Sequence, residues 1–119
     1  MNTSDLRQRT KRFALEIIKF FETLPKDETS RVLGRQLLRA GTSVGANYRA
    51  ARRAKSNPDF INKMSIVEEE ADECGYWLEL LTESNKVASA RTDPLARELN
   101  ELVAIAVASI NTARKNTKR

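Results

Sequence analysis

The sequence predicts an all-α protein, an antiparallel up-down-up-down four-helix bundle in one domain over residues 1–119. Three observations predict it. Apolar residues recur at spacings of three and four along most of the chain. Leu, Ala, Arg and Glu dominate a composition with only three prolines and four glycines. Proline and cap signals divide the chain into four segments joined by short connections, and short connections force antiparallel neighbours.

The helices are expected over about 4–24, 28–55, 58–84 and 93–115. The first has Thr3, Ser4 and Asp5 as cap and acidic first turn. Its apolar face is Leu6, Phe13, Ile17, Phe20/Phe21 and Leu24, and Pro25 stops it. Arg7, Arg9, Lys11 and Arg12 lie mostly off that face, as a solvated surface or as a phosphate-contacting one. The second helix follows Asp27 as N-cap, with Leu33, Leu37, Ala40/Gly41, Val44, Tyr48 and Ala51 on one face. Residues 41–45, GTSVG, also read as a loop, since each mid-helix glycine costs about 1 kcal/mol relative to alanine. The apolar period runs through them in phase, and Gly41 and Gly45 stand four apart, so one long helix with a close-packing groove is expected.

The third helix begins at Asn57-Pro58, read as N-cap followed by a proline at the first helical position. Phe60, Met64, Val67, Ala71, Cys74, Leu78 and Leu81 form a heptad stripe. Cys74 sits in that stripe and is expected to be a small buried apolar residue. Tyr76, Trp77 and Leu80 widen the apolar surface. Asp93-Pro94 repeats the cap-and-proline signal for the fourth helix, whose stripe is Leu95, Leu99, Leu102, Ala106, Ser109/Ile110 and Ala113. A basic tail follows: Arg114, Lys115, Lys118 and Arg119.

Composition narrows the function classes. There is no histidine, the commonest general base and metal ligand. The single cysteine excludes an intramolecular disulfide and a cysteine-rich zinc site and fits a reducing cytoplasm. No apolar run reaches the ~18–20 residues of a membrane span, and the first residues have no signal-peptide core, so no membrane partner is expected. Net charge is +5 and the isoelectric point about 9.7, a mild excess compatible with an anionic partner.

Charge is also partitioned. Residues 31–55 carry seven basic side chains and no acid; residues 59–83 carry eight acids and one base. The two helices are expected to pair, within one chain or between subunits, and to set register rather than supply much stability. Glu69 and Glu73, four apart, also suit a metal ion or acid–base work. Helical di-metal bundles add histidine through Glu-x-x-His, which is absent here, so ion pairing with the arginine helix is the stronger reading. With no nucleophile–base constellation and no phosphate-cradling glycine loop, neither enzymatic activity nor a cofactor is expected.

GTSVGANYRAARRAKSNPDF over residues 41–60 and ADECGYWLELL over 71–81 resemble the 23S rRNA-intervening-sequence proteins, a four-helix-bundle family of bacteria. LPKDETSRVLGRQLLRA over 24–40 and the FAL segment at 13–15 share the likeness. Ala50 and Ala51 stand where many relatives have Glu or another residue after the Tyr-Arg pair. The family name records where some of its genes lie and carries no activity or catalytic residues. The resemblance implies a homopentamer, and a related branch resembles the accessory protein of diversity-generating retroelements, a basic pentamer that works with a reverse transcriptase and nucleic acid.

Two functions follow as expectations. One is a nucleic-acid-associated accessory factor that contacts RNA or DNA phosphates through Arg7, Arg9, Lys11, Arg12, Arg114, Lys115, Lys118 and Arg119, with a nucleic-acid-processing protein as a further partner. The helix 2 arginines are left out of that set, as the acids of helix 3 are expected to claim them. The other is a structural or protein-binding homo-oligomer. Gly41, Gly45, Tyr48, Arg49, Arg52, Arg53, Glu69, Glu73, Tyr76 and Trp77 are packing or interface residues in either case, Tyr and Trp being enriched at interfaces.

Overall fold

The structure, a computed structural model, describes residues 3–117. Four helices follow one another: α1 (Thr3–Glu22), α2 (Glu28–Ala51), α3 (Asn57–Glu83) and α4 (Ser89–Thr117). No strand occurs among the described residues. At 1.5 Å rise per residue α3 and α4 are each about 40 Å long, and the bundle measures 52 × 21 × 20 Å.

The apolar stripes meet in one core. Phe13, Ile17, Leu37, Val44, Met64, Leu81 and Leu102 are its largest fully buried apolar side chains. Cys74 is buried in the same cluster, and burial pushes its thiol up to about 12. Three buried hydroxyls are locally satisfied. Thr10 donates to the Arg7 carbonyl, Ser30 to the Asp27 carboxylate, and Thr92 shares a 3.1 Å hydrogen bond with Thr82.

The glycines of α2 face α1. A Cβ on Gly34 would lie 2.6 Å from Leu24, and one on Gly41 would lie 2.9 Å from Ile17. At Gly45 the neighbour is the Thr10 backbone, at 3.4 Å. These contacts let the α1 backbone approach α2 closely. They also place the first turns of α1 beside the last turns of α2. Gly34 is part of this seam although it lies off the expected stripe, whose Leu33 is only half-buried.

The helix ends differ from expectation in four places, each with a local cause. α1 stops at Glu22, because the Thr23 and Leu24 amides turn back to the carbonyls of Phe20 and Phe21 ahead of Pro25. α2 stops at Ala51, four residues before the expected 55. Arg53 and Ala54 donate three residues back, tightening the chain out of the helix. The N-cap of α3 is Ser56, not Asn57: its backbone is extended and its hydroxyl accepts from the Asp59 amide at 3.2 Å. Asp59 in turn accepts from the Lys55 amide at 3.1 Å, which fixes the chain before the helix.

The fourth difference is the start of α4 at Ser89, ahead of Asp93-Pro94. Asn85 takes the left-handed conformation, φ 62°. Its amide donates to the Thr82 carbonyl and that of Lys86 to Leu81, a Schellman closure of α3. The chain reverses within a few residues and α4 begins early. Pro94 then lies inside the helix. It is exposed, as is Ala90, whose carbonyl it cannot serve.

Glycine substitutions separate the close seam from helix propensity. Gly41→Ala should destabilise the protein by about 1–3 kcal/mol through overpacking against Ile17. Gly75→Ala, whose nearest contact is an ordinary 3.6 Å from Leu99, should stabilise it by up to about 1 kcal/mol. Urea denaturation of the two variants checks both signs. Cys74 should resist thiol reagents at pH 8 in the folded protein and react fully in denaturant.

Candidate nucleic-acid interface

The α1–α2 seam decides where the positive charge goes. With Thr10 against Gly45, the start of α1 adjoins the end of α2. Asn57, the first residue of α3, donates from its side chain to the Ala113 carbonyl of α4 at 2.9 Å. The start of α1, the end of α2, the start of α3 and the end of α4 therefore form one end of the bundle. Arg7, Lys11, Arg49, Arg52, Arg53, Lys55, Arg114 and Lys115 converge there, and all are exposed, whereas Arg12 lies midway along α1 in a hollow with Glu16 and Glu98. Most α3 acids, Glu68 through Glu83, lie further along, toward the middle and the opposite end.

Two concave features mark this end. A groove between α1 and α2 is lined by Arg7, Lys11 and Arg49 with Gln8, Thr42 and Gly45. A second opening lies where all four helices meet, with Arg52, Lys55, Ser56 and Asn57 around Leu6, Ala51, Phe60 and Ile105. Tyr48 lines that opening from the core; it is 2% exposed, and burial raises its phenol above the usual range against the opposing pull of Arg52 and Arg7.

The structure corrects two expectations about the arginines. Arg9, expected at a phosphate, is held by α4. Its guanidinium donates to Glu98 through Nε at 2.9 Å and through Nη2, and to Glu101 at 3.0 Å. The side chain is only 13% exposed, and the Glu98 hydrogen bonds raise its pKa further. It ties α1 to α4 and is spent on that role. Conversely, the α3 acids claim only Arg39 from α2, through Glu70 at 3.2 Å and Glu73 at 2.8 Å. Among the described residues no carboxylate lies within salt-bridge distance of Arg49, Arg52 or Arg53. These three belong with the basic end. Lys118 and Arg119 lie outside the described residues.

The remaining sites fall as follows. Gly41, Gly45 and Tyr48 pack within the chain. Glu69 is exposed and Glu73 pairs with Arg39. Trp77 is half-buried against the core with its Nε1 buried and unpartnered among the described residues. Tyr76 stacks edge-on against it at 5.1 Å and is 55% exposed. No group of three or more metal-ligating side chains occurs among the described residues, and none of the described helices is long and apolar enough to cross a membrane.

Fold and site together define an all-helical bundle with a basic end and no assembled catalytic constellation among the described residues. The chain belongs to the 23S rRNA-intervening sequence protein family, whose pattern matches residues 2–108. It is similar to a crystal structure of a protein of unknown function from the S23 ribosomal protein family of Bacteroides thetaiotaomicron VPI-5482. The identity is 32% and the TM-score 0.87, over 93% of this chain and 99% of that one. No curated protein matches the chain.

The two arginines of α1 should behave differently. Arg9→Ala should cost about 1–3 kcal/mol in chemical denaturation, because it removes charge-assisted hydrogen bonds from a largely covered site. Arg12→Ala, at an exposed position, should stay within about 0.5 kcal/mol of the parent.

Proposed function

We infer that this protein is a non-enzymatic, cytoplasmic accessory factor, an antiparallel up-down-up-down bundle that assembles as a homopentamer and binds nucleic-acid phosphates through its basic end. The observation that carries the reading is the convergence of Arg7, Lys11, Arg49, Arg52, Arg53, Lys55, Arg114 and Lys115 at one end, with no described carboxylate within salt-bridge distance of those side chains. Opposed residue order supports the antiparallel arrangement: Thr10, Ile17 and Phe21 of α1 meet Gly45, Gly41 and Gly34 of α2 in turn. The pentamer is supported by family membership. Such binding is sequence-tolerant, because phosphate contacts position a nucleic acid without reading its bases.

A second reading has its own observation. Tyr76 and Ile66 are exposed apolar residues on α3, among the exposed acids Glu69, Asp72 and Glu79. That surface favours a protein partner and an oligomeric scaffold.

A salt-series titration separates the two. Protein stripped of copurifying nucleic acid is titrated with labelled RNA and DNA while light scattering follows its mass. Six or more phosphate contacts should weaken binding by about 10³-fold or more between 50 and 200 mM salt. Arg52→Ala with Arg53→Ala should weaken it at every salt concentration and flatten the slope. An intact oligomer that binds nothing at low salt would favour the scaffold, and a monomeric mass would remove the pentamer.

A further inference from the structure

The opening at the basic end is not a simple patch of charge. It continues into a second hollow along α3 and α4, the two sharing Asn57, Phe60, Ile105 and Ser109. Together they form a trough from Arg52 and Lys55 on the α2 side to Asn116 on α4. Its floor is apolar, with Phe60 and Ile105 half-buried at the centre and Ala108 and Ala113 beyond. One mouth is cationic, lined by Arg52 and Lys55, and the other is polar, with Thr112 and Asn116. The nearby acid, Asp59, is occupied by both the Lys63 ammonium, at 3.0 Å, and the Lys55 amide.

An apolar floor with an aromatic ring beside a cationic mouth asks for an occupant with a flat apolar body and an adjoining negative charge. A duplex meets only half of that, because its bases are stacked inside and it presents phosphates alone. An unpaired base meets all of it, since base–aromatic stacking and backbone charge are how single strands are held without regard to sequence. We propose that the trough takes an unstacked base of a single-stranded nucleic acid over Phe60, with the adjoining phosphate on Arg52 and Lys55. This rests on the phosphate-binding reading above and narrows its ligand to single strands.

Fluorescence anisotropy with short labelled single-stranded RNA, single-stranded DNA and the matching duplexes tests it at low salt. The full chain should bind at least one type of single strand about tenfold or more tighter than duplex. Phe60→Leu should weaken single-strand binding at least about fivefold, the lower end for a lost stacking contact, and leave duplex binding unchanged. Phe60→Tyr, which keeps the ring, should retain binding. If Phe60→Leu lowers the melting temperature, Ala108→Leu narrows the trough from an exposed position on α4 and carries the same expectation. Equal affinity for single strand and duplex overturns the proposal while the phosphate reading stands. So does a normally melting Phe60→Leu that binds single strands like the parent. Absence of all binding at low salt overturns both.

Discussion

The close approach of α1 to α2 is the constraint on which the rest depends. Gly34 and Gly41 leave no room for a Cβ against Leu24 and Ile17. A side chain at Gly41 would push Ile17 aside, so the glycines favour this distance and register. A shift of one turn would move a side chain into the slot and cost core packing of the kind that overfilling always costs. Because register is set there, Thr10 lies against Gly45 and the charged turns beyond them fall at the same end. The basic end follows from packing in the middle of the bundle.

The seam between α1 and α4 is built differently. Arg9 reaches Glu98 and Glu101, and Arg91 lies over the Phe20 ring at 5.2 Å while donating to the Thr23 hydroxyl. Two arginines pointing in opposite directions across one seam, one from each helix, hold it with directional contacts. α2 against α3 and α3 against α4 bury apolar stripes that include Ala40, Val44, Ala71, Cys74, Leu99 and Leu102, with the Arg39 pairs to Glu70 and Glu73 at the α2–α3 edge. The α1–α4 seam is thus the one more exposed to salt and to charge substitution.

The core positions were legible in the sequence because burial repeats with the helix. Met64 through Leu81 and Leu95 through Ala113 lie where their spacing puts them. The glycine groove was legible too, but its partner was not, since small residues say that something comes close without saying what. The early start of α4 was hidden by a rule applied in the wrong place. Asp93-Pro94 reads as a helix start, yet Asn85 in the left-handed conformation had already reversed the chain, and Pro94 removes one hydrogen bond from the second turn of α4 without ending it. The arginines were the least legible. Whether a guanidinium is spent on a carboxylate depends on which helices touch and at what height. Period and composition carry neither fact, so neither the pairing of Arg9 nor the lack of a carboxylate within salt-bridge distance of Arg49, Arg52 and Arg53 among the described residues could be read from them.

The distribution of charge along the 52 Å axis has a consequence that acts before any contact. An excess of cations lies at one end and the α3 carboxylates from Glu68 to Glu83 lie away from it, so the molecule carries a permanent electric dipole along its length. Near a polyanion that dipole feels a torque, and the molecule turns to arrive end-on. Such pre-orientation raises the fraction of encounters that are productive and fades as salt shortens the reach of the field. In a ring of parallel protomers the dipoles add, giving one strongly attractive face and one indifferent face, so the assembly would have a sidedness even where its outline has none.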